Sequence, residues 1–128
     1  MNDEMILIVD DSKFITHAYS QLLLCLGYRV LIACGGKTGL FAATNCSPSL
    51  ILLDMLMPDM DGIEALRTLK QTPSTSHIPV LVISSLPGKN GDKLIQEGAQ
   101  GFCEKGSMTP EKLEHTISGI LKNRLLVP

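Results

Sequence analysis

Leu50-Ile51-Leu52-Leu53-Asp54-Met55-Leu56-Met57-Pro58-Asp59-Met60-Asp61-Gly62 is the stretch that decides the fold. Its opening apolar run lacks the polar alternation of a half-exposed strand, so it suits a strand buried on both faces of a parallel sheet. Asp54, which ends the run, therefore stands at a carboxyl strand end. That edge of an open α/β sheet is where ligands bind, because the strands stop there and helix N-termini turn their amides toward it. Pro58 interrupts regular structure, and Asp61 followed by Glu64 has the spacing of a starting helix. The stretch reads as strand, acidic loop, helix.

The same grammar recurs on either side. Met5-Ile6-Leu7-Ile8-Val9 is an apolar run ending in Asp10-Asp11, and Ser12 can cap the helix that follows. In that helix Ile15, Ala18, Leu22 and Leu26 recur at helical spacing, with Tyr19 and Leu23 beside them and Gly27 as the stop, while Phe14 and Leu24 fall off the face. Residues 28–33 give a second strand, and Gly35-Gly36 opens a helix carrying Leu40, Phe41 and Ala43 that ends before Ser47-Pro48. The third helix spans about residues 62–70 with Ile63, Leu66 and Leu69 inward. Ile78-Pro79-Val80-Leu81-Val82-Ile83 is a fourth strand, ending in Ser84-Ser85. The fourth helix, residues 90–97, has few apolar anchors beyond Leu94 and Ile95, with Gly88 and Gly91 near its start, so it is the element expected to move. Gly101-Phe102-Cys103-Glu104 is a last strand before Lys105, and Thr109-Pro110-Glu111 starts a helix lined by Leu113, Ile117, Ile120 and Leu121.

Strands alternating with helices imply right-handed crossovers and helices on both faces of a five-stranded parallel sheet. Four of the strands end in polar chemistry: Asp10-Asp11, Asp54, Ser84 and Lys105, whereas the second ends in Ala33-Cys34-Gly35. A strand order of 2-1-3-4-5 explains this. It puts the inert strand at a far edge and brings the others together, with a long lysine side chain bridging from the last.

Residues 1–128 are expected to form one domain. The chain is 45% apolar and 19% charged with a formal net charge of -2, which gives no basic footprint for direct nucleic-acid binding. Cys25, Cys34, Cys46 and Cys103 lack zinc or disulfide spacing, so reduced thiols and a cytoplasmic setting are expected. There is no secretory pattern at the N-terminus and no apolar run of membrane-spanning length.

Carboxylates converging on one pocket repel each other unless a cation neutralises them, and a hard divalent ion with oxygen ligands does so. Mg²⁺ fits, since it is satisfied by few carboxylates together with water, carbonyl and phosphate oxygens. Lys105 and the Ser84 hydroxyl can hold phosphoryl oxygens. A carboxylate nucleophile surrounded by metal, lysine and hydroxyl is a sufficient set of parts for aspartyl-phosphate formation.

With those residues in place, the chain resembles the response-regulator receiver family of two-component signalling over essentially its whole length. An acidic pair after the first strand, Asp-x-x-Met-Pro-x-Met-Asp-Gly after the third, Ser after the fourth and Lys after the fifth appear in the family's order. The resemblance implies a flavodoxin-like receiver fold of the chemotaxis-regulator kind. It implies that Asp54 accepts the phosphoryl group, that Asp11 and Asp54 bind Mg²⁺ directly, that Asp10 does so through water, and that the Leu56 carbonyl is a backbone ligand. Ser84 and Lys105 would contact the phosphoryl group, and Ser84 with Phe102 would form the switch. The implied partners are a sensor histidine kinase or phosphotransfer protein, and a downstream effector protein or a domain missing from this chain. A homodimer is a further arrangement to test. The module would phosphorylate itself without turning over an external substrate.

Two features depart from the family pattern. Gly106 follows Lys105 where proline is usual, and a non-proline cis bond costs about 3–4 kcal/mol, so this loop is expected to be trans and looser. Leu56 and Leu86 are apolar at positions that influence access of the hydrolytic water. Plainer readings set Asp59 and Asp61 as loop and cap residues, the methionines of the acidic loop as packing, the histidines as surface residues, Phe102 as static core, and Ser85 as a rival to Ser84. Competing functions are a small-molecule phosphatase or phosphotransferase, and a receiver-like domain that is no longer phosphorylated. The first commonly needs a second acid at the position of Leu56, and the complete acid, hydroxyl and lysine set argues against the second.

Overall fold

A computed structural model of the chain describes residues 4–84, 91–105 and 108–126. The expectations resting on Ser85, Leu86, Gly88 and Gly106 lie outside those residues. The elements, in order, are β1 (Met5–Val9), α1 (Lys13–Cys25), β2 (Arg29–Ala33), α2 (Gly36–Cys46), β3 (Leu50–Asp54), α3 (Gly62–Gln71), β4 (Val80–Ser84), α4 (Gly91–Gln96), β5 (Gly101–Glu104) and α5 (Pro110–Leu126). The strands form one parallel sheet in the order β2-β1-β3-β4-β5, as their polar ends predict.

The unbroken apolar strands have two faces to fill. Leu7, Val9, Ile51, Leu53, Val80 and Val82 pack with Ala43 of α2, Leu66 and Leu69 of α3, and Leu94 of α4. The alternate residues Ile6, Ile8, Leu50, Leu52, Leu81 and Ile83 pack with Leu23 of α1 and with Leu113 and Ile117 of α5. Each fully buried leucine or isoleucine contributes about 1.5–3 kcal/mol, so the sheet is held from both sides. Among the described residues, no helix is long and apolar enough to cross a membrane.

Several boundaries and faces differ from the sequence reading. Tyr28 is buried but spends its amide on Leu23 O at 3.0 Å, closing α1 instead of joining the ladder, so β2 begins one residue later. Pro79 has no N–H to give, and β4 runs from Val80 through Ser84, which becomes a strand residue paired with Glu104. On α1, Tyr19, Leu22, Leu23 and Leu26 face the core as expected, but Thr16 is buried there too while Ala18 is exposed. The Thr16 hydroxyl bonds Lys13 O at 3.2 Å, which lets a polar residue take a core position that hydrophobic spacing assigned to Ala18. Phe41 is 71% exposed and Ile95 51% exposed, so Leu94 is the buried anchor of α4. Phe14 and Leu24 stand outside the core as their spacing predicts.

Candidate functional site

Parallel register brings the strand ends together. Val9 is level with Leu53, Asp54 with Ile83, and Ser84 with Glu104, so Asp10, Asp54, Ser84 and Lys105 all emerge at one sheet edge. Asp10 and Asp54 are buried, Ser84 is fully buried, Lys105 is half-buried, and Asp11 is exposed. Oxygens of Asp10, Asp11 and Asp54 lie within 4.8 Å of one another.

Lys105 sits among these acids. Its Nζ is 2.8 Å from Asp10 Oδ2 and 3.2 Å from Asp54 Oδ1. Asp10 uses its other oxygen to accept the Ser12 amide at 2.9 Å, which fixes the carboxylate at the start of α1. Asp54 Oδ1 is buried and makes no hydrogen bond among the described residues, although the ammonium is close by. Burial pushes the Asp54 carboxyl above its ordinary range and the charge of Asp10 adds to this; Lys105 and the Leu56 amide oppose it without cancelling it. For Lys105, burial pulls downward, but its contacts with Asp10 and Asp54 outweigh that, and the ammonium is held above its ordinary value.

A buried carboxylate oxygen without a hydrogen bond, beside two further acids, is a donor set that suits a hard divalent cation. Leu56, two residues beyond Asp54 on the β3–α3 loop, is 52% exposed. Phe102 lies on β5 level with Val82 and packs against the Leu66 side of the core. A Cβ added to Gly91 would come 3.8 Å from its ring, so Phe102 borders the start of α4. Between β5 and α5 is a groove of ≈ 650 Å³ lined by Phe102, Cys103, Met108, Glu111, His115 and Thr116.

The receiver-domain pattern of the response regulators matches residues 6–118. The chain belongs to the response regulator receiver family. This receiver domain is 40% identical over 102 residues to the response regulator PleD of Caulobacter vibrioides, covering 78% of this chain but 22% of that protein. It is 33% identical to the protein PilH of Pseudomonas aeruginosa, covering 91% of this chain and 96% of PilH. In three dimensions it superposes on a CheY-like response regulator receiver protein of Methanospirillum hungatei JF-1 with a TM-score of 0.88 at 27% identity, over 96% of this chain and 97% of that one. Receiver domains are signalling modules of two-component systems and bind Mg²⁺ at an acidic pocket, and here Asp10, Asp11 and Asp54 form a cluster that could hold a metal ion.

Two residues take places that the sequence did not assign them. Tyr19 of α1 shares a small crevice with Asp10 and Asp54; burial raises its phenol, Lys105 opposes the shift, and the nearby acids reinforce it. In the sequence Tyr19 is one more apolar-face residue of a helix. Asp59 caps α2 across the loop, holding the Gly36 and Lys37 amides at 2.9 and 3.1 Å, and these bonds keep its carboxyl below the usual range. The sequence set Asp59 and Asp61 together as loop and cap residues; that Asp59 reaches α2 it did not show. Met55 lies in the core with Met57 and Met60 packed against it, and Asp61 caps α3 through the Ile63 amide at 3.0 Å.

Proposed function

We propose that Asp54 accepts a phosphoryl group from a phosphohistidine on a sensor histidine kinase or phosphotransfer protein. An Asp54 carboxylate oxygen forms the new P–O bond as the P–N bond to the imidazole breaks, and the nitrogen keeps the electron pair. The observation that carries this reading is the convergence of Asp10, Asp11 and Asp54 with Lys105 at the carboxyl edge of the sheet. Mg²⁺ bound by Asp11, Asp54 and the Leu56 carbonyl, with Asp10 acting through water, would neutralise charge on the carboxylates and on the incoming phosphoryl oxygens. Lys105 leaves its place between Asp10 and Asp54 to meet a phosphoryl oxygen, and Ser84 meets another.

Residues 1–128 then act as one cytoplasmic receiver unit without turnover of an external substrate. The phosphorylated form favours an inward Ser84 and a rearranged Phe102, biasing α4 and the groove between β5 and α5 toward a second arrangement that an effector protein, a further domain or a second copy recognises. Phe14, 79% exposed on α1, is the candidate kinase-docking residue. Intact mass after treatment with acetyl phosphate and Mg²⁺ tests the acceptor: the parent gains one phosphoryl group and Asp54→Asn gains none. An adduct that persists in Asp54→Asn sinks the assignment.

A further inference from the structure

The loop that carries Leu56 is fastened at its base and at its apex. At the base, the Gly62 amide donates to Met55 O at 3.1 Å, and a Cβ on Gly62 would lie 2.5 Å from Met55 Cα. At the apex, Asp59 Oδ1 accepts the Gly36 amide at 2.9 Å and Oδ2 accepts the Lys37 amide at 3.1 Å. Met60 lies against the same turn of α2, since a Cβ on Gly36 would come 2.6 Å from Met60 Cβ.

These contacts complement each other chemically. The residue before α2 is Gly35, which has no side chain to cap the helix. The first amides of α2 therefore lack a local acceptor, and the carboxylate 23 residues away supplies both the acceptor and the negative charge that a helix N-terminus favours. Conversely, a Cβ on Gly35 would lie 2.9 Å from both Asp59 oxygens. Gly35 and Gly36 form a cradle for the Asp59-Met60 corner, and Leu56 lies on the backbone between that corner and the closed base.

We propose that Asp59 is a positioning residue for the phosphorylation site: by capping α2 from the β3–α3 loop, it fixes the backbone that carries Leu56. The inference rests on the assignment of the Leu56 carbonyl to Mg²⁺ made above. Asp59 then raises Mg²⁺ affinity and the rate of phosphorylation while touching neither metal nor phosphoryl group. α2 and the acidic loop respond to each other through one carboxylate.

The test is Mg²⁺ titration by calorimetry, with amide exchange and acetyl-phosphate labelling, on the parent, Asp59→Ala, Asp59→Asn and Leu113→Ala. Asp59→Ala is expected to weaken Mg²⁺ binding about fivefold, slow labelling by a similar factor, and speed exchange at Gly36 and Lys37. Asp59→Asn keeps one acceptor oxygen and should fall between, and it carries the test if the alanine variant does not fold. Leu113→Ala weakens the core on the other face of the sheet and should leave Mg²⁺ affinity at the parent value, which separates positioning from general loss of stability. Faster exchange at Gly36 with unchanged Mg²⁺ affinity overturns the proposal. A parent that binds Mg²⁺ but gains no phosphoryl group sinks the acceptor assignment instead, and the titration still judges Asp59.

Discussion

Lys105 Nζ lies 3.2 Å from Asp54 Oδ1 and 2.8 Å from Asp10 Oδ2, and among the described residues that buried Asp54 oxygen makes no hydrogen bond. The ammonium bridges the two acids and supplies their positive partner. Lys105→Ala removes the cation and leaves Asp10 and Asp54 to repel each other. The apo protein is expected to lose about 1–3 kcal/mol in urea unfolding, less than a sealed pair would cost because the lysine keeps some solvent contact. Added Mg²⁺ should then raise the unfolding temperature more in the variant than in the parent, because no resident cation competes. An equal rise in both would mean that Lys105 and the metal do not share the acids.

Gly62 and Gly119 are both helical glycines, in opposite surroundings. A Cβ at Gly62 meets Met55 Cα at 2.5 Å, whereas at Gly119 it meets nothing within 4 Å. Gly62→Ala is expected to cost about 1–3 kcal/mol and to disturb the acidic loop. Gly119→Ala should stabilise α5 by up to about 1 kcal/mol, the helix propensity of alanine over glycine. Denaturant titration of both variants checks the pair; stabilisation at Gly62 would show that the loop relaxes freely.

The end of α4 is tied to α3 by Arg67, whose Nε and Nη2 donate to Glu97 at 2.7 and 2.9 Å. Hydrogen bonding from Arg67 lowers the Glu97 carboxyl below its ordinary value of 4.5. A depressed folded value means that the tether contributes fully above the unfolded value and is lost as pH falls through the folded one. Intrinsic-rate-corrected amide exchange at residues 97–99 should therefore lose protection on acidification in the parent. Arg67→Ala should lack that protection already at neutral pH and show little further change. Identical pH profiles for the two proteins would remove the tether.

Cys103 reports on the groove between β5 and α5. Burial raises its thiol above the ordinary range, whereas Cys25, Cys34 and Cys46 are exposed. In a chain with Cys25, Cys34 and Cys46 replaced by serine, alkylation at neutral pH is expected to be slow, because little thiolate forms and access is limited. Beryllofluoride with Mg²⁺ should change that rate and should alter amide exchange mainly around residues 84–106. A rate indifferent to beryllofluoride, with uniform exchange, would mean that β5 does not take part in the switch.

The sequence by itself determined the sheet and the composition of its ligand edge. Runs such as Leu50 to Leu53 are apolar without alternation, which suits a strand covered on both faces, and their alternation with helical segments implied a parallel sheet. The polar residues that close those runs are Asp10, Asp54, Ser84 and Lys105, and parallel strands put all their carboxyl ends, with these residues, at one edge. Tertiary structure decided what no local pattern encodes. Thr16, not Ala18, points inward on α1, because a helical hydroxyl can satisfy itself on the preceding turn and be buried. Asp59 caps α2 and not its own helix, because a carboxylate pairs with whichever amides the fold brings near, here 22 and 23 residues away. The poise of Lys105 between Asp10 and Asp54 is likewise tertiary: sequence shows a long cation at a strand end, and only the packed sheet edge sets its distance to each acid.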